Sequence, residues 1–154
     1  MEMGSLGTGK MAEKILVVDD DENILAAYKR ILRNFFNVET ANSGKNGLLA
    51  LHTQGPFAVI VSDYNMPGMD GLQFLLSAKA VSPASVGVLL TGQVDNSVVL
   101  NAVKEGHVFT FLKKPCLFEN MLKAIQSAIR QHQVILASNR EIFKSPEAIS
   151  VGYR

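Results

Sequence analysis

Five short apolar runs, each followed by a helical pattern, are the feature that most constrains the fold of this chain. The runs lack the polar alternation of a strand with one face in water, so they are typical of strands buried on both faces. The predicted strands span residues 15–18, 38–41, 57–61, 86–90 and 108–112. Alternation of strand and helix requires crossover connections, which produce parallel strands. The sequence therefore predicts an α/β fold, a doubly wound five-stranded parallel sheet with helices on both faces.

Helix signals separate these strands and predict which side chains face the core. We expect the helices to begin near Glu22, Ser43, Asp70, Asp95 and Leu117. Polar side chains at most of these positions can accept hydrogen bonds from first-turn amides, and Gly106 is expected to end the fourth helix. The apolar residues expected to face inward from the second, third and fourth helices are Leu48, Leu49, Leu51, Leu72, Phe74, Leu75, Leu76, Val98, Val99, Ala102 and Val103.

Composition excludes several classes of protein. With 154 residues, 47% hydrophobic and 19% charged, the chain suits one globular domain. Its net charge of +1 offers no bulk attraction to nucleic acid or a membrane surface, and no apolar run approaches the roughly 18 residues of a membrane helix. The single cysteine, Cys116, excludes an internal disulfide, so we expect a reducing, cytoplasmic location.

The ends of the chain differ from its middle. Residues 1–13 suggest a flexible leader or cloning remnant, and residues 14–131 form the predicted domain. The last helix carries an apolar pattern over about 26 residues, or about 40 Å, more than one sheet can cover. Residues 132–154 are therefore expected to be a helical linker and loose tail toward an output domain absent from the chain. The pattern fits either a frayed tail or a coiled coil that forms a homodimer, with His132 and Asn139 at seam positions.

Polar residues stand where the predicted strands end. Asp19 and Asp20 follow the first strand, Asp63 the third, Thr91 the fourth and Lys114 the fifth. The carboxyl ends of parallel strands meet at one edge of a sheet, where ligands of such folds bind. Crowded carboxylates resist ionising together unless a hard cation such as Mg²⁺ joins them. A Lys, a hydroxyl and an Asp nucleophile suit phosphoryl chemistry. Taken alone, however, Asp63 could shape a turn, and the first two Asp could cap a helix.

Four motifs together make the sequence resemble a known family. VVDDDENI, VSDYNMPGMDGLQFL, LLTG and FTFLKKP stand in the order and spacing of response-regulator receiver domains of two-component signal transduction, and the resemblance runs from Lys14 to Gln131. It implies a flavodoxin-like, receiver-type fold and a histidine kinase or phosphotransfer protein as partner. It also implies a signalling domain rather than an enzyme, although such domains promote their own phosphorylation and dephosphorylation.

The resemblance assigns roles to the acidic residues. Asp63 corresponds to the phosphoacceptor of the family. Asp19, Asp20 and Asp63, with the backbone carbonyl of Asn65, correspond to the ligands of Mg²⁺ (or Mn²⁺).

The resemblance also assigns the remaining site residues. Thr91 and Lys114 correspond to the residues that bind the phosphoryl group. Thr91 and Phe111 correspond to the conformational switch, here without the hydroxyl of the commoner Tyr. The Lys114–Pro115 peptide bond corresponds to the cis peptide of the family.

Two other functions compete with this interpretation. A receiver-like interaction module could work without phosphate, although the complete set of site residues argues against it. A Mg²⁺-dependent phosphatase with an Asp nucleophile usually needs a second Asp two residues later, where this chain has Asn65. Direct nucleic-acid binding has no basic patch or motif to support it.

Overall fold

A computed structural model of the chain describes residues 13–92 and 96–144, which alternate between five strands and five helices. The strands are β1 (Lys14–Val18), β2 (Asn37–Ala41), β3 (Val59–Asp63), β4 (Val86–Thr91) and β5 (Thr110–Lys113). The helices are α1 (Glu22–Leu32), α2 (Gly44–Thr53), α3 (Gly71–Val81), α4 (Ser97–Lys104) and α5 (Phe118–Lys144). The predicted α/β fold is confirmed. The expected leader, the helix start at Asp95 and the tail from Ser145 lie outside the described residues.

The strands form one parallel sheet in the order β2-β1-β3-β4-β5. The chain leaves β1 toward β2 and then returns to add β3 on the other side, so the order reverses between β1 and β3. In doubly wound sheets this reversal opens a crevice at the carboxyl ends of the strands. In the register of the sheet, Asp63 lies opposite Leu90, and Thr91 lies opposite Lys113. The polar residues at the strand ends therefore share one edge.

Two apolar layers cover the sheet, which explains why its central strands lack polar alternation. Helices α1 and α5 pack on one face against side chains such as Ile15, Val61 and Val88. Helices α2, α3 and α4 pack on the other face against side chains such as Leu16 and Ile60. All five residues of β3 are buried.

Three residues predicted to face the core point outward instead. Leu49, Leu76 and Val98 are 58%, 42% and 56% exposed. On α2 the buried face is a stripe of small residues that includes Gly47 and Ala50. Helix α2 approaches α3 so closely that a Cβ on Gly47 would lie 2.7 Å from the ring of Phe74. Glycine and alanine contribute little to the spacing of apolar residues from which an inner face is predicted. The prediction for α2 therefore relied on its leucines, including the exposed Leu49.

Caps define the helix ends. The Asp70 side chain accepts a hydrogen bond from the Gln73 amide, and the Gln73 side chain accepts one from the Asp70 amide, which is a capping box. Ser43 caps α2, as predicted, and Asn96 caps α4. Gly106 follows α4 with a φ of +81°, a left-handed conformation that costs glycine little.

Helix α5 has the predicted excess length, 27 residues from Phe118 to Lys144. The residues it buries against the sheet include Met121, Ile125, Ile129 and His132. His132 is 9% exposed, and its Nδ1 lies 2.7 Å from the carbonyl oxygen of Ala84. His132 is therefore held within its own domain, while a coiled coil along α5 stays a prediction.

The end of α5 projects beyond the sheet. Ile135 still packs against the α1–α5 core, whereas Val134 and Leu136 are 59% and 36% exposed. Among the described residues, no helix is both long and apolar enough to cross a membrane.

Candidate functional site

An ion pair joins the ends of β3 and β5 at the crevice edge. Asp63 is the last residue of β3, and its side chain is only 7% exposed. Lys114 follows β5 directly, and its Nζ donates a hydrogen bond of 2.7 Å to Asp63 Oδ1. The two residues are 51 positions apart in sequence, so only the parallel sheet brings them together. A second hydrogen bond, 2.8 Å from the Lys114 amide to the Thr91 carbonyl, holds Lys114 against β4.

Three carboxylates form an acidic cluster, which we define as Asp19, Asp20 and Asp63. Each contributes one oxygen, and these oxygens lie within 4.8 Å of one another. Asp19 is 3% exposed and Asp63 5% exposed, whereas Asp20 is exposed. The Asp21 amide donates a hydrogen bond of 2.9 Å to Asp19 Oδ1. Asp19 Oδ2 is buried and has no hydrogen-bond partner within the described part of the chain.

The electrostatics of the site follow from this crowding. Burial raises the pKa of Asp19, and the charge of Asp63 raises it further, against the opposing hydrogen bond from the Asp21 amide. Burial alone would lower the pKa of Lys114, but the hydrogen bond and charge of Asp63 outweigh it and raise that pKa above its usual value. Lys114 therefore stays charged, whereas burial disfavours the charged form of the Asp19 carboxylate.

The acidic cluster fits a hard divalent cation. Three carboxylate oxygens on one rim are the ligands that Mg²⁺ prefers, and Mg²⁺ binds through a few carboxylates while keeping water. Asp19 Oδ2, buried without a described partner, is an oxygen that a cation would satisfy. Lys114 approaches Asp63 from β5 through Oδ1, so the second oxygen of Asp63 is not used by this ion pair.

The other predicted site residues lie around this centre. Thr91 is fully buried at the end of β4. Phe111 is partly buried on β5 and packs against the core under α2, α3 and α4. Asn65 is exposed, two residues after Asp63. The Lys114–Pro115 peptide bond is cis, and so is the Gly55–Pro56 bond, for which we had no expectation.

Three further residues shape the site without an obvious sequence signal. Gly71, the first residue of α3, lies against the backbone of Asp63 and donates a hydrogen bond of 2.8 Å to the Tyr64 carbonyl. Tyr64 is half-buried and packs against the core under α2, α3 and α4. Tyr28 of α1 is desolvated, which raises its pKa, and the nearby Lys114 charge partly offsets this. Only the glycine after a predicted helix cap could have been suspected from sequence.

Comparison with known proteins decides the family. The sequence model described as "Response regulator receiver domain" matches residues 15–126. The chain belongs to the response-regulator receiver family. It is therefore a domain of two-component signal transduction, and the sequence resemblance is confirmed.

The receiver is similar to parts of longer regulators and to isolated receiver structures. It is 28% identical over 143 residues to the C4-dicarboxylate transport transcriptional regulatory protein DctD of Rhizobium meliloti, and the match covers 92% of this chain but 30% of DctD. The crystal structure of an adenylate cyclase from Rhodopirellula baltica is 38% identical, with a TM-score of 0.84, and the match covers 88% of this chain and 100% of that one. A receiver domain from Clostridium thermocellum is 32% identical, with a TM-score of 0.73, over 80% of this chain and 98% of that one.

Proposed function

We propose that this receiver accepts a phosphoryl group on the carboxylate of Asp63 from a phosphohistidine of a histidine kinase or phosphotransfer protein. The observation that carries the proposal is the buried Asp63 carboxylate, bound by Lys114 at 2.7 Å and joined by two further carboxylates within 4.8 Å. Membership of the receiver family supports the same reaction.

The residues at the strand ends divide the reaction between them. A carboxylate oxygen of Asp63 attacks phosphorus, the bond from phosphorus to the donor imidazole nitrogen breaks, and the nitrogen keeps that electron pair. Lys114 and the Thr91 hydroxyl bind the transferred phosphoryl oxygens, which carry most of the charge. Because burial excludes water from Asp63, these fixed charges act more strongly there than they would in solution.

Asp19, Asp20, Asp63 and the backbone carbonyl of Asn65 would hold Mg²⁺ (or Mn²⁺). When bound, the cation supplies positive charge between the carboxylates and the incoming phosphoryl group. The buried Asp19 Oδ2, which has no partner within the described residues, supports this assignment.

The phosphorylated site changes a partner-binding surface through Thr91 and Phe111. Thr91 ends β4 and Phe111 lies one strand away on β5, paired in register with Leu89. A shift of Thr91 toward the phosphoryl group would vacate space that the ring of Phe111 can enter, which changes the surface formed by α4, β5 and α5.

The chain spans about 30% of the length of DctD, so we propose that it acts as the cytoplasmic receiver part of a larger regulator. The α5 extension beyond Ile135 would lead toward the output domain and could pair two chains. Light scattering before and after phosphorylation measures whether a homodimer forms.

Phosphorylation is tested directly by intact mass spectrometry. With Mg²⁺ and acetyl phosphate, the wild-type chain is expected to gain one phosphoryl mass, and Asp63→Asn is expected to gain none. Asp70→Asn is the matched control, because Asp70 caps α3 on the same loop outside the acidic cluster. An unchanged wild-type mass under conditions that label another receiver would reject the proposal, as would turnover of a small phosphoester by a phosphatase reaction.

A further inference from the structure

A single asparagine side chain links α4 to the residue that follows Asp63. Asn96 Oδ1 accepts hydrogen bonds from the amides of Val98 at 2.9 Å and Val99 at 3.4 Å. This capping role orients the side-chain amide, because its oxygen has to face the helix. Asn96 Nδ2 then points the other way and donates a hydrogen bond of 3.2 Å to the Tyr64 hydroxyl. The same side chain therefore caps α4 and binds Tyr64.

The Tyr64 end of this link is firmly held. The Tyr64 amide donates to the Leu90 carbonyl at 2.8 Å, and its own carbonyl accepts from the Gly71 amide at 2.8 Å. Its ring is half-buried and belongs to the core under α2, α3 and α4. Tyr64 adjoins Asp63 in the chain, so its hydroxyl belongs to a firmly held residue next to the proposed phosphoacceptor in sequence.

The α4 end is weakly held. Helix α4 has eight residues and buries only Val99 and Ala102. A helix of this length is not stable alone, so its position depends on tertiary contacts and caps. Val98 and Leu100, on its outer side, are 56% and 43% exposed. The hydrogen bond between Asn96 and Tyr64 therefore adds to the burial of Val99 in holding the N-terminal end of α4.

We propose that the Tyr64–Asn96 hydrogen bond is a latch that holds α4 in place and opposes the response to phosphorylation. The second half of this statement rests on the proposed function of Asp63. Asn96 caps α4 and lies five residues after Thr91, so displacing either Thr91 or the Asp63 loop strains the bond. Release of the latch frees the N-terminal end of α4 and the exposed apolar side chains beside it.

Hydrogen exchange of the full chain without any phosphodonor tests the latch itself. Tyr64→Phe removes only the hydroxyl and keeps the packed ring. Loss of one net hydrogen bond is expected to speed exchange of the amides of residues 100–105 about three- to tenfold, and not those of β1 or β3. Tyr28→Phe is the matched control, since Tyr28 is also half-buried but packs on the opposite face of the sheet.

A double-mutant cycle separates the latch from the cap. Asn96→Ser keeps a capping hydroxyl but is too short to reach Tyr64. Adding Tyr64→Phe to Asn96→Ser is expected to cause no further increase in α4 exchange, because the shared bond is already lost. Unchanged α4 exchange in Tyr64→Phe, equal acceleration throughout the chain, or additive effects in the double variant would each overturn the latch.

Phosphorylation rate tests whether the latch opposes the response. With Mg²⁺ and acetyl phosphate, Tyr64→Phe is expected to gain the phosphoryl mass about three- to tenfold faster than the wild type. This factor should equal the factor by which amide exchange of α4 is faster in the same variant. Faster exchange without faster labelling would overturn this half of the proposal. Failure of the wild type to be labelled would instead reject the proposed function. The exchange experiments would still test whether the Tyr64–Asn96 hydrogen bond holds α4.

Discussion

Substitution of Gly71 by alanine gives the sharpest test of how the fold positions the phosphoacceptor. A Cβ on Gly71 would lie 2.9 Å from the carbonyl carbon of Asp63 and 2.9 Å from the Cα of Tyr64, and closer still to the Asp63 carbonyl oxygen. Ordinary contacts of a Cβ begin at 3.4 Å. Because these neighbours are backbone atoms, no side chain can rotate away. The start of α3 and the end of β3 must therefore separate by about 1 Å, because the carbonyl oxygen is the closest of these atoms.

The expected effect falls on the reaction more than on folding. A misplacement of about 1 Å can cost about 100-fold in rate, so we expect Gly71→Ala to slow phosphorylation of Asp63 by about 10- to 100-fold. The same clash lowers the free energy of unfolding by about 1–3 kcal/mol, partly offset by about 1 kcal/mol from the better helix propensity of alanine.

Gly47→Ala is the matched control for this experiment. Its Cβ would lie 2.7 Å from the Phe74 ring, so it also overpacks the core, but against a side chain outside the acidic cluster. Phosphorylation is followed by intact mass with acetyl phosphate and Mg²⁺, and stability by urea unfolding. If Gly71→Ala is folded and labelled as fast as Gly47→Ala, the close approach of α3 does not position Asp63, and the reasoning is refuted.

Three further predictions concern stability. Because burial and the Asp63 charge raise the pKa of Asp19, the wild type loses stability as the pH rises from the unfolded pKa of about 4 through the higher folded pKa. Asp19→Asn should therefore raise the free energy of unfolding of the metal-free protein near pH 7, and this gain should vanish below a pH of about 4. The measurement is urea unfolding in the presence of a chelator, and an equal effect at both pH values would contradict the prediction. His132→Ala should cost about 1–3 kcal/mol, because the Ala84 carbonyl loses its hydrogen bond at a buried position; an unchanged urea midpoint would show that this bond does not anchor α5. Asp70→Ala should cost about 1 kcal/mol through loss of the capping box with Gln73, while Asp70→Ser should restore most of it.

The predicted helix caps show how far local information extends. Asp70 and Ser43 cap α3 and α2, and Gly106 ends α4, all as expected from sequence. These positions were predictable because a cap is a contact between residues three or four apart. At α4 the structure shows Asn96 as the cap, and the predicted start at Asp95 lies outside the described residues.

The inner faces of the helices show where local information ends. Leu49 and Val98 fit the helical spacing but are exposed, because the neighbouring helix rather than the pattern decides which face is buried. On α2 that neighbour is Phe74, which requires the small Gly47. The buried His132 is a similar case, since its partner Ala84 lies 48 residues away.

The sequence by itself determined the alternation of strands and helices, the residues at each strand end and the family to which the chain belongs, because each depends on local pattern or spacing along the chain. Only the tertiary structure decided that Lys114 binds Asp63, that Gly71 lies against the backbone of Asp63 and that Asn96 joins Tyr64. The Lys114 and Asn96 contacts join residues 51 and 32 positions apart. These contacts form only when the helices and loops that connect the strands pack on the sheet, and no local pattern encodes that packing.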